Sequence, residues 1–271
     1  MTPEKNTTRA TAARNTAYWI FTSLIALEMA VGSYWDLARI PFVKEVFTHL
    51  GLPFYLLTII GIWKLPCAVV LLIPGFARLK EWAYAGAFFT YSGAAVFHMS
   101  VGDGFSVWVG PLVICLFTVA SWALRPSSRQ WHPEAAGMPG GYPRARVIGY
   151  WIVTIMIAIA ILSGGVGEWT DFTGVTVQGM LALGYPVYFT RLLGCWKIAG
   201  GIALLVPRFP LLKEWAYAGI VFDLTGAFAT HLFNHSPVFH LISTVLLVAL
   251  TLISWRLRPA PASVTARPAL S

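Results

Sequence analysis

The sequence predicts an all-α protein: a polytopic membrane protein of eight transmembrane helices, arranged as two parallel-repeat four-helix bundles. Three observations predict it. Charged residues make up 11% of the chain and apolar residues 57%, with a mean hydropathy of +0.69, whereas a soluble domain carries about 25% charge. The string LKEWAYAG occurs twice, at 79–86 and at 212–219. Eight apolar segments of about 20 residues recur along the chain, each long enough to cross a hydrocarbon core of about 30 Å.

The repeated string is part of a tandem duplication. Shifted by 133 residues, the chain overlays itself without a gap: Gly51, Pro53, Tyr55, Gly61, Trp63 and Lys64 fall on Gly184, Pro186, Tyr188, Gly194, Trp196 and Lys197. Residues 51–103 give 22 identities in 53 positions, and SW-x-LRP at 121–126 returns at 254–259. Upstream the match slips slightly, with YWI at 18–20 answering YWI at 150–152. A fixed period of this length marks a duplicated structural unit.

The expected helices of the first unit (17–125) are 17–37, 53–73, 82–101 and 106–124. Those of the second (147–258) are 147–167, 186–206, 215–234 and 238–257. Residues 126–146, rich in proline and glycine, read as a solvated linker, and 1–16 and 259–271 as tails. Four helices per unit is an even number, so both units share one orientation, related by an axis along the membrane normal. The tails with their flanks, the linker and the loops near 74–81 and 207–214 hold 14 of the 19 Lys and Arg; the opposite loops hold Arg39 and Lys44. The excess of basic residues in cytoplasmic loops places both termini in the cytoplasm, in an inner or plasma membrane. It also accounts for the net charge of +8 without a nucleic-acid partner. Three cysteines, Cys67, Cys115 and Cys195, without a C-x-x-C pair, argue against a disulfide framework.

In LKEWAYAG itself, Lys80 and Lys213 are expected to snorkel to lipid phosphates, and Glu81 and Glu214 to sit at a helix N-terminus. Trp82 and Trp215 suit the interfacial aromatic belt, and the small residues a packing seam.

The long motif LGYPVYFTRLLGCWK-x7-LLVP-x5-KEWAYAG-x2-FD-x2-GA-x3-H at 183–231 resembles the DoxX-like family of small integral membrane proteins, and residues 51–126 match it more loosely. Ordinary members are one four-helix unit, so the chain looks like two of them fused. The resemblance implies a membrane partner of redox enzymes, since relatives include the small subunit of thiosulfate:quinone oxidoreductases. It implies quinone as a possible cofactor and a membrane-associated redox enzyme as a possible partner. Thr90 departs from the family's Asp, which Asp223 keeps in the second unit.

The charges within the apolar segments are the candidate site. Lys64 and Lys197 lie about 15 Å from the cytoplasmic interface, where a lone lysine costs about 3 kcal/mol. Counting residues along the helices puts Glu28 and Asp223 at that depth, which pairs Lys64 with Glu28 and Lys197 with Asp223. Such pairs either locate helices or mark a ligand or proton site. At the outer end of unit two, Arg191 and His231 are expected near one level, about 9 Å above Lys197. A ligand headgroup would then lie among Lys197, Asp223, Arg191 and His231, between the second and third helices of unit two. Glu168 and Asp171 are expected in the outer loop. His231, His235 and His240 form a weak candidate metal set; their spacing is common, and the expectation is no metal. Three functions compete: a redox-associated protein binding a quinone or similar carrier, a small-solute or proton transporter, and a scaffold for a partner enzyme.

Overall fold

The structure, a computed structural model, describes residues 3–132, 142–207 and 209–259, with side chains from Arg9 onward. Its helices are α1 (Pro3–Ala38), α2 (Pro41–Leu50), α3 (Tyr55–Leu72), α4 (Ala77–Ser100), α5 (Phe105–Leu124), α6 (Arg144–Thr170), α7 (Thr176–Ala182), α8 (Val187–Leu205), α9 (Pro210–Phe233) and α10 (Val238–Leu257). One 3-10 turn, Ser127–Arg129, follows α5, and among the described residues there is no strand. The centre of the expected linker (133–141) and the expected C-terminal tail from 260 lie outside the described residues.

Among the described residues, six helical stretches are long and apolar enough to cross a membrane: Arg9–Ala38, Tyr55–Leu72, Phe105–Leu124, Arg144–Thr170, Pro210–Phe233 and Val238–Leu257. Against the eight expected, α4 and α8 fall outside this set, although they have 24 and 19 residues. α8 is diluted by Arg191 and Lys197, and α4 by the charges at its start together with the Gly, Ser, Thr, Tyr and His residues along the rest of it.

Three features differ from the sequence reading. α1 begins at Pro3, within the stretch expected as a tail. α6 runs to Thr170 rather than ending near 167. The short helices α2 and α7 fill what reads as loop. α2 starts on Pro41 and stops at Gly51, whose φ of 65° is left-handed; its repeat partner Gly184 has φ of 85°. Glycine adopts that backbone without a Cβ clash.

Helices α1, α3, α4 and α5 pack in a ring, α1 and α4 each against α3 and α5, and α6, α8, α9 and α10 repeat the arrangement. A buried hydroxyl triad ties each ring. Thr22 Oγ1 lies 2.7 Å from Ser121 Oγ, which lies 2.8 Å from the Tyr84 hydroxyl. Thr154 and Tyr217 meet Ser254 at 2.7 Å each. The outer helices are inverted in polarity. On α10 the buried residues are Thr244, Thr251 and Ser254, while Ile242, Val245, Leu246 and Ile253 are exposed. An outward apolar face around a polar interior suits a hydrocarbon solvent, where inward hydroxyls find partners and outward ones cannot.

The duplicated string joins the two rings. Lys80 Nζ donates to the carbonyls of Val70 and Ile73, and Lys213 Nζ to the carbonyl of Leu204 at 2.6 Å. Both lysines are buried rather than snorkelling. They satisfy carbonyl groups at the C-terminal ends of α3 and α8, where the helix dipole is negative. Glu81 pairs with Arg125 at 2.8 Å and accepts from the indoles of Trp122 (2.9 Å) and, from the other ring, Trp215 (3.1 Å). Glu214 pairs with Arg258 and accepts from Trp255 (2.8 Å) and, across the interface, from Trp82 (2.9 Å) and Arg78 (2.7 Å). The tryptophans therefore donate across the rings. Next along α4 and α9, a Cβ on Gly86 would meet the Phe222 ring at 3.1 Å, and one on Gly219 the Phe89 ring at 3.0 Å. At the far end Tyr55 donates to the Leu183 carbonyl and Tyr188 to the Leu50 carbonyl, each at 2.5 Å. The Trp82–Glu214 and Trp215–Glu81 bonds, the two Gly–Phe contacts and the Tyr55 and Tyr188 bonds are exchanged by the 133-residue shift, whereas Arg78–Glu214 is not, because Leu211 stands at the equivalent position; the paired contacts set α4 and α9 side by side in the same direction.

Candidate functional site

Lys64 and Lys197 occupy the middle of α3 and α8. Lys197 Nζ lies 2.5 Å from Glu168 Oε1 and 3.4 Å from Asp223 Oδ1. Lys64 Nζ lies 2.8 Å from Asp36 Oδ2. The expected partner of Lys64 was Glu28, and this is corrected: the ammonium is bonded to Asp36, while Glu28 Oε2 has no hydrogen-bond partner. The cause is the register of α1 on α3. Ser33 Oγ donates to the Gly61 carbonyl at 2.7 Å, which sets Asp36 over the turn before Lys64. Glu28 remains beside the pair, since a Cβ on Gly32 would lie 3.0 Å from Lys64 Nζ and 3.3 Å from Glu28 Oε1.

Glu168 is likewise corrected. It lies in the last turn of α6, buried, not in an outer loop. Two glycines bring it there. A Cβ on Gly194 would sit 2.8 Å from the Gly165 carbonyl oxygen and 2.9 Å from the Trp169 nitrogen; a Cβ on Gly165 would sit 2.8 Å from Lys197 Cβ. Only bare backbone allows α6 and α8 to approach so closely.

Asp36 and Glu168 are equivalent residues, and sequence reasoning missed both. The signal was present: Tyr18 and Tyr150 are offset by 132, and the same offset carries Asp36 onto Glu168. The lysine–acid pair of each unit is thus duplicated, with Glu28 in one unit and Asp223 in the other as an added carboxyl.

A cavity of about 650 Å³ lies between the two rings, walled by α3, α4, α8 and α9. Its polar lining includes Lys64, Thr90, Glu168, Lys197, Asp223 and His231, with the Tyr185 and Thr230 hydroxyls bonded to each other. Its aromatic walls are reciprocal: Trp63 packs edge-on to Phe222 with centroids 4.9 Å apart, and Trp196 on Phe89 at 5.1 Å. Residues of both units line the cavity. Arg191 is not part of the lining and is exposed. Six residues before Lys197 is about 240° around the helix at 3.6 residues per turn, so Arg191 points away from the cavity although its height along α8 fits. A second, open groove of about 630 Å³ on the outer face of α1, lined by Trp19, Leu24 and Leu27 among others, holds no charged side chain.

His231 stacks on His240 with centroids 4.5 Å apart, and its Nδ1 lies 3.0 Å from Ser236 Oγ. His235 is exposed in a left-handed turn with φ of 49°. Among the described residues no group of three or more His, Cys, Asp or Glu side chains is gathered to hold a metal ion. In unit one, Asp103 bridges His98 Nδ1 (2.6 Å) and His49 Nε2 (2.7 Å). Hydrogen bonds from His98 and then His49 hold the Asp103 carboxyl below the usual aspartate range.

No curated protein and no solved structure was found to match the chain. The sequence model of the DoxX-like family matches twice, over residues 20–121 and 152–254, each time across the four long helices of one ring. The chain therefore belongs to the DoxX-like family, as a tandem pair of its units.

Proposed function

We propose that this protein spans a cell membrane with eight helices, both termini cytoplasmic, and binds a quinone or similar lipid-soluble carrier in the cavity between its rings. The observation that carries this reading is the composition of that cavity: aromatic walls from both units around a polar group of Lys197, Glu168 and Asp223. A mostly apolar pocket of about 300–1,000 Å³ with a few convergent polar groups is the usual form of a small-molecule site. The Trp63–Phe222 and Trp196–Phe89 pairs offer aromatic surface for a flat ring to pack on. The headgroup belongs to unit two, because both carboxyls of the lining, Glu168 and Asp223, come from it, while unit one offers Lys64 and Thr90. Lys197 has three N–H donors, two of them directed at carboxylates, which leaves one for a ligand oxygen. A membrane-associated redox enzyme would supply or take the electrons.

In the eight-span arrangement the charges of α4 and α8 are tolerated where they are enclosed and paired, as Lys80, Glu81 and Lys197 are, while Arg191 lies near the outer end of α8. The basic residues at the Glu81–Glu214 end mark the cytoplasmic face. A transporter would draw on the same charges, but α3 and α8, which carry the lysines, are each continuous, unlike the broken helices of many carriers.

The test is purification in mild detergent followed by mass spectrometry of extracted lipids. Wild type should retain a quinone, and Lys197→Met should lose it, while Lys64→Met keeps more than Lys197→Met. Equal retention in wild type and Lys197→Met would overturn the reading.

A further inference from the structure

Glu168 has one atom that nothing in the protein engages. Its Oε1 is held by Lys197; its Oε2 is buried and has no hydrogen-bond partner. The residue is 6% exposed and lines the cavity. A buried carboxylate oxygen without a donor is costly, and more so than a neutral acceptor. Beside it stands the ammonium of Lys197, with a donor to spare. The carboxyl lines the cavity beside that donor with Oε2 covered, and a small turn of the carboxyl brings this acceptor to the space the ammonium faces. A hydroxyl matches both at once, since its O–H donates to Glu168 Oε2 while its oxygen accepts from Lys197. A carbonyl matches only the lysine and leaves Glu168 Oε2 unmet in a site that the ligand has just closed to water.

We propose that Glu168 is the acceptor for a ligand hydroxyl, so that the cavity selects the reduced, quinol-type form of a lipid-soluble carrier over its oxidised, carbonyl form. The proposal rests on the carrier reading above and sharpens it. No electron transfer is asked of this chain; the selection is by hydrogen-bond complementarity alone, of the kind in which a buried polar group rejects the analogue that cannot pair with it. Asp223 supports the arrangement by sharing the ammonium at 3.4 Å, which keeps Lys197 between the two carboxyls. Unit one cannot repeat the selection: Asp36, the equivalent of Glu168, is outside the lining.

The experiment is anaerobic equilibrium binding of a short-chain benzoquinol and of the matching benzoquinone to the purified full-length protein in lipid nanodiscs. Wild type should bind the quinol about tenfold or more tightly than the quinone, the scale of one unmet buried acceptor. In Glu168→Gln the preference should collapse toward parity, because the amide can donate to a carbonyl as well as accept. Asp103→Asn, a carboxyl remote from the cavity, should keep the wild-type preference. Equal affinities, or tighter quinone binding, in wild type would overturn the inference and leave the carrier reading standing. A preference unchanged in Glu168→Gln would overturn the role of Glu168. Binding of neither ligand would overturn the carrier reading and this inference with it. The wild-type comparison decides the ligand form even if the variant fails to fold.

Discussion

Single charges decide most of what is distinctive here. Lys197 balances Glu168 and Asp223 at once, so Lys197→Met leaves two buried carboxyls without a cation. Removing one partner of a buried pair costs on the order of 3–5 kcal/mol, and denaturation in detergent should show a loss of that size. Asp223→Asn, which leaves the Lys197–Glu168 pair intact, should cost clearly less. Asp103 gives a pH-dependent prediction. Its folded-state carboxyl titrates below its ordinary value of 3.8 because His98 and His49 bond to the ionised form. The clamp between α2 and the turn after α4 therefore contributes fully above that value and is lost as pH falls through the lower, folded one. The melting-temperature difference between wild type and Asp103→Asn should be present at neutral pH and be lost on the acid side of 3.8. A difference that vanishes already near neutral pH would refute the clamp.

At the scale of elements, glycines fix how near helices come, and they are not equivalent. A Cβ at Gly194 would lie 2.8 Å from backbone of α6, while a Cβ at Gly110 on α5 would meet nothing within 4 Å. Gly194→Ala should destabilise by about 1–3 kcal/mol and displace Glu168 from Lys197. Gly110→Ala should be neutral or stabilising by up to about 1 kcal/mol, since alanine is the better helix former. Thermal unfolding of the two variants side by side checks the contrast. The same α6–α8 contact explains why Glu168 reads as a loop residue in sequence. The apolar run ends near 167, but the helix continues because its last turn is held by packing on α8, not by hydropathy.

The whole molecule behaves as a fused pair. The reciprocal bonds of Trp82 and Trp215 to Glu214 and Glu81, and of Tyr55 and Tyr188 to Leu183 and Leu50, need no covalent link between the rings. Two chains divided in the linker near residue 137 should therefore associate when co-expressed and co-purify. Replacing both Trp82 and Trp215 by Phe should weaken that association, and unimpaired co-purification would show the indole bonds to be dispensable. The proposed topology is checked independently with single cysteines: one at residue 103 should label from outside intact cells, and one at residue 137 should not.

The sequence by itself determined the helical class, the twofold repeat and the family, because each of these rests on composition or periodicity along one chain; it read eight spans, of which six helices among the described residues are long and apolar enough to cross a membrane. It also placed Lys64, Lys197 and Asp223 at one depth, since depth is a count of residues at a fixed rise. What only the tertiary structure decided is direction and neighbourhood. Arg191 has the right height and the wrong azimuth. Lys64 takes Asp36 rather than Glu28 because the Ser33–Gly61 contact sets the register of α1 on α3. Lys80 and Lys213 turn inward to helix ends, and the tryptophans of the repeated string reach across to the other unit. None of these choices has a local signature. Each is fixed by which backbone carbonyl or carboxylate another helix brings within hydrogen-bonding distance, in an interior where an unpaired polar group has no water to turn to.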